Sequence, residues 1–233
     1  MDRPFYPEFI LQIFPRILAY LPVTLGLMAG TMIAGSCIGF LLARARLKNT
    51  RAGAIARVYI MIMRCTPSIV LLFLVYYAVP ITVKALTGID INRMSRAAFV
   101  LITLSMLFGA NLGELMRAAY LSVDPGQREA ALSTGMANAR AFLRIILPQA
   151  VTSALPNLCN TITALLKEGA LAYTIGMIDM MGQGNLIIAR NYGSYGLETW
   201  ITLAIIYWAV TIIIERSFIF LEKRLSRGRR SVS

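Results

Sequence analysis

Long apolar runs separated by short polar segments are the main pattern of this chain. Five such runs lie near 20–43, 58–83, 97–121, 150–178 and 199–221, each bounded by charged residues. A bilayer core of about 30 Å needs roughly 20 mostly apolar residues per helix, so each run is long enough to cross it. The pattern predicts an all-α integral membrane protein with about five transmembrane helices.

The first run carries two pairs of glycines at a spacing of four residues. These are Gly26 with Gly30, and Gly35 with Gly39. Small residues at this spacing let a second helix approach closely within a membrane. We expect both pairs to mark helix contacts.

Composition and charge support the membrane assignment and give an orientation. Of the 233 residues, 58% are hydrophobic and 15% are charged, and the net charge is +12. The basic residues are spread between the runs instead of forming one patch, which argues against a nucleic-acid partner. One side receives 15 Lys and Arg residues and the other receives 6. The positive-inside rule therefore predicts an extracytoplasmic segment at 1–19 and a basic cytoplasmic tail at 223–233.

The residue types that metal sites and many enzymes use are scarce. The chain has no histidine, and Cys37, Cys65 and Cys159 lie far apart within apolar runs. Neither a metal site nor a disulfide framework is predicted, and no catalytic residues stand out. There is also no GxxxxGK[ST] loop, so the chain has no motif of that kind for holding ATP. We predict a protein that is not an enzyme and has no cofactor of its own.

The cytoplasmic segment 124–148 is unusually polar for this chain. It contains "GQREAALSTGMANARAFLRIILP", preceded by Asp124 and Pro125, which predict a capped helix start. Leu132, Met136, Ala139 and Leu143 form one apolar stripe, while Gly135 predicts a bend between two short helices. Periodicity alone leaves two possibilities equally open: a connector lying on lipid, or a docking element.

The spacing of seven residues in this segment matches a known motif. Glu129, Ala130, Ala131, Gly135, Ile145, Leu147 and Pro148 fit the EAA motif of ABC importer permeases at every defined position. The chain resembles the polar amino-acid (histidine, glutamine and arginine type) permeases elsewhere too. The similar segments are "RCTPSIVLLFLVYYAVP", "GANLGELMRAAYLSVDPGQREAA" and "LPQAVTSALPNLCNTITALLKEGALAYTIGMIDM". It departs from them at Glu168, Gly169 and Ala170, where Asp-Thr-Ser is common, and at Cys65, where glycine is usual.

The resemblance implies an assembly and a location. It implies a type I ABC importer permease fold with cytoplasmic coupling helices, in the bacterial cytoplasmic (inner) membrane. Two such subunits, identical or paralogous, would form the path for a polar amino acid. A cytoplasmic ABC ATPase dimer would hold ATP and Mg and dock on the seven motif residues, and an extracytoplasmic binding protein would deliver the solute. The alternative is an ion-coupled secondary transporter or channel subunit, which the charges within the spans would also suit.

Polar and proline residues within the spans are candidates for the substrate path or gate. Glu114 and Arg117 share a helix face, and either a structural ion pair or a substrate contact explains them equally well. Lys167 and Glu168 point about 100° apart, and Gly169 after them predicts a break in the helix. Pro67 predicts a kink, and the asparagines are more typical of hydrogen bonds between helices. The candidates are Arg64, Thr66, Pro67, Asn111, Glu114, Arg117, Asn160, Lys167 and Glu168, with Asn157 considered beside them.

Overall fold

The computed structural model describes residues 5–48 and 50–226, and the regular elements in this part of the chain are all helical. This confirms the predicted all-α class. Residues 1–4 of the predicted N-terminal segment and 227–233 of the predicted basic tail lie outside the described residues. The helices are α1 (Pro7–Leu18), α2 (Leu21–Arg46), α3 (Arg51–Cys65), α4 (Ser68–Phe73), α5 (Val79–Thr87), α6 (Arg96–Leu121), α7 (Pro125–Ser133), α8 (Asn138–Ala141), α9 (Leu147–Gly169), α10 (Met180–Arg190) and α11 (Gly196–Ser226).

Four helical stretches in the described ranges are long and apolar enough to cross a bilayer: Leu21–Arg46, Ser68–Thr87, Arg96–Leu121 and Gly196–Leu225. The predicted runs at 20–43, 97–121 and 199–221 fall on α2, α6 and α11. The run at 150–178 falls on α9 and the 3₁₀ turn Ala170–Ile175 that follows it. Polar side chains on α9 lower its hydropathy, so its crossing of the membrane stays a prediction.

The predicted second span is divided in the structure. We expected one kinked helix over 58–83, but α3 ends at Cys65 and Thr66 is extended, with φ −90° and ψ 127°. Pro67 precedes the first residue of α4. Proline disfavours the helical conformation at the residue before it and supplies no N–H, and here the chain breaks instead of bending.

Two π turns each lead into a helix that has a proline in its first turn. Leu74–Ala78 joins α4 to α5 before Pro80, and Phe142–Ile146 joins α8 to α9 before Pro148. The Val79 N–H donates to the Leu74 carbonyl, and the Leu147 N–H donates to the Phe142 carbonyl. The wider turn accommodates the proline ring and its missing N–H without ending the helical path.

The central helix of the described fold is α6. In the most apolar 18-residue stretch of α6, 61% of the residues are buried, compared with 22% in the corresponding stretch of Ser68–Thr87. A Cβ atom on Gly39 of α2 would lie 3.1 Å from both the Gly109 carbonyl oxygen and the Gly113 nitrogen of α6. The expected close contact at Gly35 and Gly39 is therefore confirmed, because the two backbones meet there. Gly30 also packs on α6, since a Cβ there would lie 2.7 Å from Leu101 Cδ1, whereas nothing in the described subunit lies within 4 Å of the Gly26 Cβ position.

Helix α1 lies in the predicted extracytoplasmic segment 1–19 and packs against α10 and α11. Its Ile13 and Ile17 side chains are fully buried. The Phe9 ring stacks on Tyr195 at 4.1 Å, and the Tyr6 N–H donates to Glu198 Oε1 at 2.9 Å. The pattern of Phe9, Ile13 and Ile17 is a helical repeat that the sequence does contain. These contacts hold α1 against the start of α11.

Candidate translocation cavity and coupling elbow

Residues 124–148 form two helices that meet at a sharp bend, which we call the coupling elbow. Asp124 Oδ1 accepts a 2.7 Å hydrogen bond from the Gly126 N–H, and Pro125 is the first residue of α7. At the other end, the Gly135 N–H donates to the Leu132 carbonyl and the Met136 N–H donates to the Ala131 carbonyl. This pair of bonds, with Gly135 at φ +79°, is a Schellman cap. The predicted cap and glycine bend are both confirmed.

The bend is held by one side-chain contact across it. Arg128 Nη2 donates to Asn138 Oδ1 at 2.9 Å, which joins α7 to the start of α8. From α8 the path continues through the π turn Phe142–Ile146 into α9 without interruption. The elbow is thus attached directly to a long helix at one end and follows α6 at the other.

The motif residues of the elbow differ in exposure. Glu129, Ala130, Gly135, Leu147 and Pro148 are exposed, Ile145 is half-buried, and Ala131 is buried. The predicted single apolar stripe is wrong: Leu132 and Met136 are half-buried, whereas Ala139 and Leu143 are exposed. The reason is the bend at Gly135, which changes the helix axis between the two pairs. What remains is an open surface with small and apolar side chains.

A cavity of about 420 Å³ lies between α3, α6 and α9. The wall helices are joined by hydrogen bonds: Tyr59 Oη donates to the Met106 carbonyl at 3.1 Å, and Ser122 Oγ donates to Ser153 Oγ at 3.0 Å. Five of the nine predicted path residues line this cavity, together with other polar and apolar side chains. The lining residues are Arg64, Phe108, Asn111, Glu114, Leu115, Ala118, Asn157, Asn160, Thr161, Ala164 and Glu168.

The other four candidates lie off this cavity. Thr66 Oγ1 donates to the Ile62 carbonyl at 2.8 Å, and Pro67 immediately precedes α4. Lys167 is exposed, while its neighbour Glu168 is half-buried on the cavity wall. The expected break at Gly169 takes the form of a change from α-helix to a 3₁₀ turn at Ala170.

Glu114 is held by two arginines. Arg117 Nε donates to both carboxylate oxygens at 3.1 Å, and Arg46 Nη2 lies 3.5 Å from Oε2. Arg46 comes from α2, so the ion pairs join α2 to α6. The charge of Glu114 is therefore compensated within the protein, even though its side chain reaches the cavity.

Arg64 and Glu168 are the other charged residues of the cavity wall. Among the described residues neither has an ion-pair partner. The side-chain amides of Asn111, Asn157 and Asn160 likewise form no hydrogen bond within the described part of the chain, so the expected bonds between helices are not seen. A single cavity is thus lined by one cationic side chain, one anionic side chain and three side-chain amides. The amides form no hydrogen bonds and the two charged groups no ion pairs within the described residues.

Sequence reasoning missed five lining residues, which are Phe108, Leu115, Ala118, Thr161 and Ala164. The signal for two of them was present, because 157, 160, 161, 164 and 168 recur at intervals of three and four residues and so share one face of α9. Phe108 lies on α6 one turn before Asn111, but an apolar residue in an apolar helix carries no such signal.

A family model described as "Binding-protein-dependent transport system inner membrane component" matches residues 35–227. The chain belongs to this family. It is a multi-pass inner-membrane subunit of an ABC importer, a transport subunit that works with an ATPase and a binding protein and is not itself an enzyme. Family membership decides against the secondary transporter or channel that the sequence had left open.

Named relatives match this importer permease along almost the whole chain. It is 37% identical over 230 residues to the L-cystine transport system permease protein TcyL of Bacillus subtilis (strain 168), covering 98% of this chain and 95% of that protein. It is 32% identical over 211 residues to the arginine ABC transporter permease protein ArtQ of Haemophilus influenzae, covering 90% and 93%. The resemblance to amino-acid permeases is therefore confirmed.

Solved structures agree with the fold. A crystal structure of an amino acid ABC transporter with histidines matches with a TM-score of 0.81 and 28% identity, over 95% of this chain and 100% of that one. An inward-facing structure of the MetNI methionine ABC transporter matches with a TM-score of 0.67 and 18% identity, over 94% and 99%. The second supports the fold alone.

Proposed function

We propose that this importer permease moves a polar amino acid, or a closely related small solute, through the cavity between α3, α6 and α9. The observation that carries the proposal is the wall of that cavity, where Arg64, Glu168 and three asparagines lie together. A guanidinium suits an α-carboxylate, and a carboxylate suits an α-ammonium group. The relatives named for cystine, arginine, nopaline and octopine support the same class of solute.

We propose further that the elbow receives the ATPase. The seven motif residues lie on or beside an exposed surface of small and apolar side chains, which a partner can approach closely. Two permease subunits, identical or paralogous, would then pair with an ATPase dimer that holds ATP and Mg. Closure of that dimer would push the elbow and turn the cavity from inward-open to outward-open, because the ATPase contacts differ between the two states.

The orientation proposed from the basic residues has the elbow and the C-terminus in the cytoplasm and the N-terminus outside. The extracytoplasmic binding protein would then meet the side where α1 crosses α10 and α11. The orientation is tested by labelling single-cysteine variants at Tyr192 and Arg128 with a membrane-impermeant maleimide. The variants are made in a background without Cys37, Cys65 and Cys159. Reaction at position 128 from outside intact cells would overturn the orientation.

The substrate class is tested by measuring binding-protein-dependent uptake into proteoliposomes. The panel contains cationic, acidic, amide and sulfur-containing amino acids. For the preferred solute we expect Glu168→Gln to lower kcat/KM by about tenfold or more, since hydrogen bonds to charged groups contribute about 1.5–3 kcal/mol. Lys167→Gln is the matched control, because it removes a charge one residue away but off the cavity, and it should change uptake less than twofold. Equal loss in the two variants, or no preference for any amino acid, would contradict the proposal.

A further inference from the structure

A second, larger cavity lies on the elbow side of the fold. It has a volume of about 570 Å³ and is bounded by the end of α2, by α6, by α9 and by the π turn that follows α8. Its lining is almost entirely apolar and includes Phe40, Leu112, Met116 and Leu158. We call it the apolar groove. It shares only Leu115 with the translocation cavity, so it is a separate feature.

Two cations lie at one end of this groove. Arg44 lies in the last turn of α2 and Lys48 follows its C-cap residue Leu47, and both side chains line the groove and are exposed. Among the described residues neither has a carboxylate oxygen within 4.0 Å. The neighbouring Arg46, in contrast, is paired with Glu114. The groove therefore combines an apolar interior with two uncompensated positive charges at its end.

The combination of an apolar lining and two cations favours one kind of occupant of the groove over another. An apolar helix of another subunit would fill the groove but would bury Arg44 and Lys48 without a counter-charge, which is costly. A phospholipid with an anionic headgroup supplies both an acyl chain and a phosphate. The face of α2 beside the groove is also suited to lipid, because Ile33, Phe40 and Leu41 are exposed there.

We propose that the apolar groove binds an anionic phospholipid, with one acyl chain between α6 and α9 and the phosphate between Arg44 and Lys48. Basic residues at the end of a span attract anionic headgroups in this way. Phe142 and Leu147 of the elbow line the same groove, so the bound lipid contacts both α2 and the helix that leaves the elbow. The lipid is then a structural part of the connection between the elbow and the membrane helices.

The site is tested by native mass spectrometry of the purified complex of permease and ATPase released from nanodiscs. The measured quantity is the retention of two probe lipids, phosphatidylglycerol and phosphatidylcholine. Wild type should retain phosphatidylglycerol in preference to phosphatidylcholine. Each basic residue near an anionic surface contributes about fivefold to affinity, so Arg44→Gln with Lys48→Gln should weaken phosphatidylglycerol retention about thirtyfold. The matched control is Arg51→Gln with Arg57→Gln, which removes two exposed charges of α3 that do not line the groove.

A second variant tests the apolar part. Ala154→Phe leaves both cations in place but fills the groove from α9, and it should lower retention of both lipids while the thermal stability of the complex is retained. The proposal is overturned if the α3 control loses phosphatidylglycerol as strongly as the α2 variant, because the effect would then be general surface charge. It is also overturned if Ala154→Phe retains phosphatidylglycerol like wild type, or if cysteine cross-linking from position 154 captures a second permease or the ATPase. None of these readouts depends on the transported solute, so they separate this proposal from the proposed function.

Discussion

Gly135 allows the role of the elbow to be separated from its folding. Its φ of +79° lies in the left-handed region, where a residue with a side chain costs about 1–2 kcal/mol. Nothing in the described fold lies within 4 Å of the Cβ position, so a substitution adds no steric clash inside the subunit. The subunit should therefore insert and fold with any of several residues at this position, and a larger effect must come from the partner.

Three variants at Gly135 separate backbone strain from bulk. Asparagine enters the left-handed region most readily, so Gly135→Asn should keep ATPase coupling close to wild type. Gly135→Ala adds the backbone cost with little bulk and should lower coupling only several-fold. Gly135→Arg adds the same backbone cost together with a long charged side chain on the docking surface. Blocking a central docking position costs at least about 2 kcal/mol, so solute-stimulated ATP hydrolysis should fall about thirtyfold or more.

The assay is ATP hydrolysis by the complex reconstituted with its binding protein, with and without solute. Membrane insertion is checked by protease protection, and assembly by co-purification of the ATPase. If an assembled Gly135→Arg complex kept at least half of the solute-stimulated rate, the docking role of the elbow would be refuted. If Gly135→Ala and Gly135→Arg lost the same activity, the backbone bend would be responsible instead of the contact surface.

Three further predictions concern the packing and charges of the helices. Gly113→Val should lower the apparent melting temperature measured by tryptophan fluorescence in detergent. The reason is overpacking, because a Cβ at this position would lie 3.0 Å from both the Gly39 carbonyl oxygen and Leu42 Cβ. Gly26→Val is the control and should leave the melting temperature unchanged, since nothing lies within 4 Å of the Gly26 Cβ position. Glu114→Gln should destabilise the same transition by about 1–3 kcal/mol, since it leaves Arg46 and Arg117 without their shared carboxylate, and an unchanged transition would show that the ion pairs are not structural. Burial raises the pKa of Asp179 from 3.8 to about 6, so the protonated form is favoured in the folded state. This stabilisation is complete below pH 3.8 and is lost as the pH rises through 6, which makes the wild type less stable at pH 8 than at pH 5 by roughly 1.4 kcal/mol. Asp179→Asn should remove that difference while Oδ1 still accepts from the Gly182 N–H.

The helical class, the elbow and the family followed from local signals. Charge-bounded apolar runs, a proline after an aspartate and a glycine at a helix end each depend on a few neighbouring residues, and the structure has the Asp124 cap and the Gly135 bend. Five of the nine path candidates share one cavity, because polar groups in apolar helices are rarely placed without a polar space to face. These features depend on the backbone conformation and the environment that each residue type favours, and both can be predicted from the sequence.

The wrong expectations depended on where the chain turns. The second span was read through Thr66 and Pro67 because the apolar run is continuous there, although the residue before a proline avoids the helical region. The apolar stripe through Leu132 and Leu143 assumed one axis across Gly135. The partnership of Glu114 with Arg46 joins residues 68 positions apart, and no spacing rule connects them. Contacts between helices decide such pairs, and a single sequence does not encode their register locally.

The placement of α9 gives the proposed coupling a mechanical basis. Leu147 and Pro148 of the EAA motif are its first two residues, and Asn157, Asn160 and Glu168 lie further along the same helix on the cavity wall. At about 1.5 Å per residue, the motif and Glu168 are separated by roughly 30 Å of continuous helix. Although Pro156 lies within α9, the helix continues through it to Gly169. We expect a displacement of the elbow to reach the cavity wall as movement of one helix, because the Schellman cap at Gly135 and the Arg128–Asn138 contact fix α7 against α8. Hence a lesion at the bend should impair coupling and leave the cavity and its affinity for solute intact.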